Sequence, residues 1–596
     1  MRLGWRFDET LASVALVLMV LIPLLEILAR PVLGKGIENA PILVQHLGLW
    51  MAMCGALVAE RHGHLSSLGA LLPGRQGLAH ASAAVICGVL SWASWQLVVS
   101  EREASQLLAY AMPVWWVQAV MPFGFAVLGA KLAMRGIASL AWRGFSACVW
   151  PLLGFVTAWQ FDGQALTLWP IGLGLLFILV CGAPIFVVLG GLALALFWQD
   201  GLPLASVALS HYQITVNPSL PALPLFTLAG LVFARTGAAQ RLGAVFMAMF
   251  GGGAMGSVLA AAVLCSCFTA FTGGSGVTIL ALGGLLLPLL RNAGYPETKG
   301  ISLVTSASAL GVLLAPSVPL IMYAIIARVP INTMFLAGLV PAVVMVGCLL
   351  VFGGYLRQSH VELQARASAP VSATSLTTAC WSAKWEILAP IVAIGSLVSG
   401  LATPTESAAL TALYAVTTQA LAHRELGWHL LGKCLSECAQ IIGGVMLILG
   451  MALGLTNYFV DAGIPDLAVD WVQTVTQNKW VFLLALNVFL LLAGALMEIY
   501  AAIVVLVPLL LPLAQSYGID PVHFGIIFLA NMEMGFLCPP AGMNIYFASA
   551  VFQKPLRRVA LSVLPALGAI FVGTLLISWL PLLALGLPEL VSSWRR

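Results

Sequence analysis

Apolar runs of 18 or more residues recur from one end of the chain to the other, separated by short polar loops. Each is long enough to cross a hydrocarbon core of about 30 Å. Within that core every main-chain N–H and C=O must be bonded inside the protein, so the runs predict membrane-spanning helices. The alternating strands that mark a membrane β-barrel are absent from the pattern. Spans are predicted near 9–29, 41–59, 80–100 and 112–134, then a shorter apolar stretch at Ala147–Gln160 and a long run at Leu168–Phe197. Ala238–Phe250 and Glu425–Gln440 are too polar to span comfortably. They predict amphipathic helices, either struts lying along the interface or ordinary loop helices.

A second level of pattern is a repeat. Residues 285–295 read LLLPLLRNAGY and residues 509–519 read LLLPLAQSYGI, an offset of 509 − 285 = 224. Leu314–Tyr323 (LAPSVPLIMY) is matched by Leu537–Tyr546 (LCPPAGMNIY), with 537 − 314 = 223. Pro184 of GAPIF corresponds to Pro404 of ATPTE (404 − 184 = 220), and Gly237 to Gly463 (463 − 237 = 226). Four anchors with drifting offsets point to an ancient duplication. A first re-entrant hairpin is predicted at about 258–292, beside Arg291 and Lys299. The second, about 482–516, opens a window from Trp480 to Gln553 with neither Lys nor Arg. That asymmetry suits hairpins dipping in from opposite faces, as inverted repeats require. Gly/Pro-interrupted apolar segments at corresponding places in two halves point to the binding site of a secondary transporter.

Composition agrees with the pattern. The 596 residues are 61% hydrophobic and 8% charged, with a mean hydropathy of +1.03, whereas soluble domains carry about 25% charged residues. The net charge of +4 gives no case for nucleic-acid binding, and the 11 cysteines show no metal-ligand spacing. No nucleophile–base or metal constellation lies at membrane depth, and no GxxxxGK[ST] phosphate loop occurs, which argues against an intramembrane enzyme or an ATPase. The first apolar run follows Arg2 and Arg6 but ends in no A-x-A-like cleavage site, so it is read as a retained helix. With the N-terminus cytoplasmic, inner segments of residues 1–145 hold Arg2, Arg6, Arg61, Arg75, Lys131, Arg135 and Arg143, against Arg30, Lys35 and Arg102 outside. The predicted organisation is an all-α polytopic membrane protein with inverted repeats and two re-entrant hairpins. Residues 1–145 form a four-helix unit, 146–164 a linking helix, 165–356 the first repeat, 357–386 a cytoplasmic link and 387–596 the second repeat.

The candidate chemistry sits at the interruptions. The first hairpin tip, Phe268–Thr278, places Gly273, Gly274 and Gly276 among Thr272, Ser275 and Thr278. A helix broken there frees carbonyls on one side and N–H groups on the other. Carbonyls with hydroxyls make an oxygen cage for a small cation, and half-helix N-termini favour an anionic group; close glycine-mediated helix packing is the equal alternative. Ala315-Pro316-Ser317-Val318-Pro319 and Cys538-Pro539-Pro540-Ala541-Gly542 each remove two main-chain donors mid-span. Neither motif holds a carboxylate, which suits sodium better than Zn²⁺ or Mg²⁺. Glu498 stands at the middle of the second hairpin, and Glu406 follows Thr403-Pro404-Thr405. Glu406 is either functional or a helix cap; the role of a third intramembrane acid, Glu533, is open.

At these residues the chain resembles the membrane component of a tripartite ATP-independent periplasmic (TRAP) transporter. The likeness rests on the TPTE segment (Thr403–Glu406), the G-x-x-x-P-P-x-G-M stretch (Gly535–Met543) and the tip at Thr272–Thr278. Residues 165–590 resemble the large subunit and residues 1–145 the four-helix small subunit, so the chain looks like a fused form. The resemblance implies sodium-coupled import of an organic acid handed over by a periplasmic substrate-binding protein, through a multi-pass permease of the bacterial inner membrane. It implies an elevator motion, sodium as coupling ion and no cofactor; oligomeric state is left open, a monomer included. It assigns sodium ligation to Thr272, Gly273, Ser275, Gly276, Ala315, Pro316 and Ser317 at one site, and to Glu498, Cys538, Pro539 and Gly542 at another. Thr278 and Asn544 are its substrate contacts, and Thr405 and Glu406 its cap or coupling pair. A stand-alone sodium/dicarboxylate symporter of similar architecture is the alternative; the added four-helix unit favours the first.

Overall fold

The computed structural model describes residues 7–33, 36–63, 65, 75–135, 140–165, 167–251, 253–356, 375–399, 402–539 and 542–594. Most of the predicted link at Arg357–Lys384 lies outside these residues, as do Arg2, Arg6, Lys35, Pro540 and Ala541. The helices in chain order are α1 (Phe7–Leu33), α2 (Ala40–His62), α3 (Gln76–Ala104), α4 (Val114–Gln118), α5 (Val120–Arg135), α6 (Leu140–Phe161), α7 (Leu168–Val180), α8 (Ile185–Gln199) and α9 (Ala205–Thr215). The first repeat continues with α10 (Ala222–Arg235), α11 (Ala238–Phe250), α12 (Ala254–Thr272), α13 (Ser275–Asn292), α14 (Glu297–Leu310), a 3₁₀ turn at Gly311–Leu313, α15 (Val318–Ile326) and α16 (Ile331–Phe352). Then come α17 (Leu376–Ser382), α18 (Lys384–Val398), α19 (Pro404–Thr417), α20 (Trp428–Asp461), α21 (Ile464–Val475), α22 (Lys479–Leu496), α23 (Ile499–Ser516), α24 (Pro521–Gly535), α25 (Met543–Phe552), α26 (Leu556–Trp579) and α27 (Leu582–Trp594). Among the described residues, 11 helices are long and apolar enough to cross a membrane, or up to 13 if each bent pair is one span.

The chain divides into two compact units. The first comprises residues 1–225, 432–468 and 504–509. Here α3 packs on α5 and α6, and α1 on α2. Glycine sets the α3–α6 distance: a Cβ on Gly88 would run into the Pro151 carbonyl oxygen, and one on Gly154 into that of Val85. Small residues at such crossings replace the hydrophobic drive that lipid cannot supply. The long helix α20 meets α2 the same way, because a Cβ on Gly443 would overlap the main chain of Gly55 and Ala56. It meets α9 at Gly450, where a Cβ would overlap the ring of His211. Asn457 Nδ2 donates to Ser210 Oγ at 2.9 Å. Acids at one end of the four-helix bundle are paired: Asp8 with Arg61 and with Lys131 (2.7 Å), and Glu60 with Arg135 (2.7 Å). Pairing offsets the desolvation of each carboxylate.

The second unit comprises residues 226–431, 469–503 and 510–596. The duplication is visible in the helix starts: α11 and α21 begin 464 − 238 = 226 residues apart, α12 and α22 479 − 254 = 225, α13 and α23 499 − 275 = 224, and α16 and α26 556 − 331 = 225. Each half has a bent helix pair, α10/α11 at 75° and α21/α22 at 118°, but the two are offset by one helix, since α21 corresponds to α11. The Thr236-Gly237 and Ala462-Gly463 anchors are the turns before α11 and α21. In this unit Arg241 on α11 ties three segments together: it bonds Glu386 of α18 (2.8 Å), Gln419 (2.8 Å) and Glu425 (2.7 Å). Burial alone would raise the Glu425 pKa, but hydrogen bonds from Arg241 and the Gly237 N–H, with the Arg241 charge, hold it below the ordinary carboxylate value.

One expectation is corrected here. Glu425–Gln440 is not a separate amphipathic helix. Residues from Trp428 onward are the first turns of the 34-residue α20, whose polar start simply precedes its apolar body. The amphipathic helix of that half is α21, with Leu467, Trp471 and Val475 exposed along one face. The run Leu168–Phe197 is two helices, broken where Gly182 takes φ 91° and Pro184 starts α8.

Candidate functional site at the helix breaks

Both hairpins are present, and their tips and the breaks lie in the second unit. In the first, α12 ends at Gly273 in the left-handed region (φ 70°), and Gly274 (φ −147°, ψ 123°) starts α13. A Cβ on Gly273 would stand 2.8 Å from Val318 Cγ2, so the tip rests on the start of α15, immediately after the break at Ala315–Ser317. Gly276 lies against the ring of Phe547 on α25, just beyond the second break. The first tip therefore touches the segments that follow both interruptions. Its hydroxyls are gathered inside. Thr278 Oγ1 lies 2.7 Å from Thr269 Oγ1 and 3.1 Å from Thr272 Oγ1, and Thr272 Oγ1 is 3.3 Å from the Gly274 carbonyl oxygen.

The break at 311–317 follows from its sequence. The 3₁₀ turn Gly311–Leu313 ends α14, the Ala315–Pro316 peptide is cis, and Ser317 in extended conformation starts α15 with Pro319 in its first turn. Gly311 permits the close fit, since a Cβ there would meet the Ser266 carbonyl oxygen and Thr269 Cβ. Ser317 is fully buried and its hydroxyl has no hydrogen-bond partner among the described residues. Buried polar atoms are normally bonded, so an unpartnered one marks a place for a further polar group.

The second hairpin turns at Met497 and Glu498, where Glu498 starts α23. Its open end is closed by stacking of Phe482 on Tyr517 (4.3 Å, 4°) and by Lys479 Nζ donating to the Gly518 carbonyl at 3.3 Å. Gly494 and Gly535 seat α22 on α24, main chain against main chain, four residues before Glu498 and three before Cys538. That register brings the second tip and the second break to the same end of the α22–α24 pair. The two tips also meet directly, as Tyr500 OH donates to the Gly273 carbonyl oxygen at 3.1 Å.

Asn544 belongs to this junction. Its Oδ1 accepts from Ser275 Oγ at 2.8 Å, and its buried Nδ2 has no partner among the described residues. Thr278 is instead enclosed by Thr269 and Thr272. Of the cap pair, Glu406 closes a capping box: Thr403 N donates to Glu406 Oε2 at 2.8 Å, and Glu406 N donates to Thr403 Oγ1 at 3.3 Å. The cap is what this geometry supports. Tyr500, Phe547 and Thr269 were not singled out in the sequence. Only the position of Tyr500, two residues past a broken tip, could have marked one of them.

Two family profiles match the chain. One, described as the tripartite ATP-independent periplasmic transporter, DctM component, covers residues 173–583; the other, described as the DctQ component, covers residues 19–141. This protein belongs to the TRAP transporter family. Both components lie in one chain, so it is a fused TRAP permease, a multi-pass membrane protein of a transport family rather than an enzyme. It is 30% identical over 439 residues to the C4-dicarboxylate TRAP transporter large permease protein DctM of Rhodobacter capsulatus, covering 70% of this chain and 98% of that protein. It is 32% identical over 405 residues to the isethionate TRAP transporter permease protein DctMQ of Oleidesulfovibrio alaskensis, covering 68% and 63%. To the sialic acid TRAP transporter large permease protein SiaM of Vibrio cholerae it is 32% identical over 381 residues, covering 63% and 87%.

Proposed function

We propose that this TRAP permease imports an organic acid by sodium symport, receiving it from a periplasmic substrate-binding protein, from the inner membrane with its N-terminus cytoplasmic. The observation that carries the reading is the contact of the first tip with Val318, beside the buried, unpartnered Ser317 hydroxyl. Hydroxyls of Thr272 and Ser317 with main-chain oxygens around Gly273 and Ala315 form a neutral, oxygen-rich setting that suits Na⁺. Among the described residues no group of three or more His, Cys, Asp or Glu side chains is placed to hold a metal ion. The second cation would use Glu498 with Cys538, Pro539 and Gly542. Asn544 on α25, which accepts from the sodium-site residue Ser275 of the first hairpin, stands where an acid could be read beside that site. The bent pairs α10/α11 and α21/α22 would act as arms of an elevator. Relatives carry names with C4-dicarboxylates, isethionate and sialic acid, which supports an organic acid as the class of substrate.

Reconstitution into liposomes with candidate acids, with and without a sodium gradient and the cognate binding protein, tests the reading. Uptake should require both. Uptake indifferent to both would reject it in favour of a stand-alone carrier.

A further inference from the structure

One buried acid has no part in the sites above. Glu533 on α24 is 0% exposed, and neither carboxylate oxygen has a hydrogen-bond partner among the described residues. Its polar neighbours are the main-chain groups of Val312 and Leu313, in the 3₁₀ turn that leads into the first break. α24 packs on that turn. An unpaired carboxylate in such surroundings is strongly disfavoured, and an intramembrane ionisable group is a functional site by default.

Among the described residues no cation offsets it. The helices packed on α24 are α14, α15, α16, α22, α26 and α27. Their titratable groups are Glu297 and Lys299 on α14, Tyr323 on α15, Cys348 on α16, Lys479 on α22, Arg557 and Arg558 on α26, and Glu589 on α27. Glu297 pairs with Lys554, Tyr323 OH donates to the Pro521 carbonyl, and Lys479 Nζ to that of Gly518. On α24 itself, His523 bonds the Ile577 carbonyl oxygen, and Asp520 caps the helix start. No charged side chain is among the groups acting on Glu533.

We propose that Glu533 is a proton-binding site whose occupancy positions the 3₁₀ turn at Gly311–Leu313. With the proton bound, the carboxyl is neutral and its burial costs far less than that of the charged form. When the proton leaves to water, the carboxylate draws the facing amides of Val312 and Leu313 into charge-assisted hydrogen bonds, which are shorter and stronger than neutral ones. The turn tightens, and the segment that follows it moves. The inference goes beyond the sodium reading and does not depend on which cation is coupled.

Infrared spectroscopy of the purified full chain in sodium-free buffer reads the proton directly. A protonated-carboxyl band should persist at neutral pH, vanish at alkaline pH and be missing from Glu533→Gln. Amide hydrogen exchange over peptides spanning 311–317 reads the consequence. Protection should rise several-fold as the wild-type band disappears and stay flat with pH in Glu533→Gln. A wild-type spectrum without such a band at neutral pH overturns the proposal even if the variant does not fold. So does a Glu533→Gln variant with the wild-type exchange profile.

Discussion

The two hairpin tips are copies in path but not in chemistry. The first turns on Gly273 at φ 70°, a conformation other residues adopt at a cost of about 1–2 kcal/mol, and it lines its interior with Thr269, Thr272 and Thr278. The second turns on Met497 (φ −118°, ψ 147°) and Glu498 (φ −68°, ψ 145°), both extended. Since any L-residue fits there, the tip is free to carry an acid. The same division appears one turn earlier. Gly311 and Gly535 correspond (535 − 311 = 224), and so do Thr269 and Gly494 (494 − 269 = 225). In the first half a glycine seats against a threonine; in the second, glycine seats against glycine. Duplication has kept the backbone interruptions while their side chains diverged, one tip carrying a cluster of neutral hydroxyls and the other a single acid, Glu498.

The largest effect should come from filling the seats. Gly311→Leu and Gly535→Leu each push a side chain into a neighbouring main chain, and the yield of folded protein by size-exclusion chromatography should fall at least tenfold in both. A large loss in one alone would break the correspondence. Next, Gly273→Ala should cut sodium-dependent uptake in proteoliposomes by tenfold or more, through backbone strain and contact with Val318, while Met497→Ala stays near wild type. Equal losses would mean that the tips do not differ as described. Ser317→Ala and Ser275→Ala should raise the sodium concentration for half-maximal uptake several-fold without lowering expression; superimposable titration curves would count against both assignments. The smallest effect belongs to Thr403→Ala, which removes the capping box at a cost of about 1 kcal/mol and, in a chain of this length, should lower the thermal midpoint by only about 1 °C with uptake unchanged.

The spans, the duplication and both breaks were legible because each leaves a local signature: apolar length, Gly/Pro interruption and a constant offset. The Glu425–Gln440 reading failed because a helix whose polar first turns precede a long, buried apolar body looks amphipathic in any short window across its start. The meeting of Ser275 with Asn544 and of Tyr500 with Gly273 spans 269 and 227 residues, and nothing in one sequence records such pairings. Arg241 was visible as a lone cation on an amphipathic stretch, but its partners Glu386, Gln419 and Glu425 converge on it only through the fold.

The glycine crossings of α6 with α3 and of α20 with α2 bear on why two components share one polypeptide. Because α6 is pressed main chain to main chain on α3, it is a fifth member of the amino-terminal bundle instead of a loose leash. Because Gly443 abuts Gly55, that bundle grips a helix of the permease portion independently of the peptide bonds that join them. Severing the connection after α6 should therefore yield two fragments that co-purify, so the covalent fusion secures equal copy numbers more than it secures adhesion.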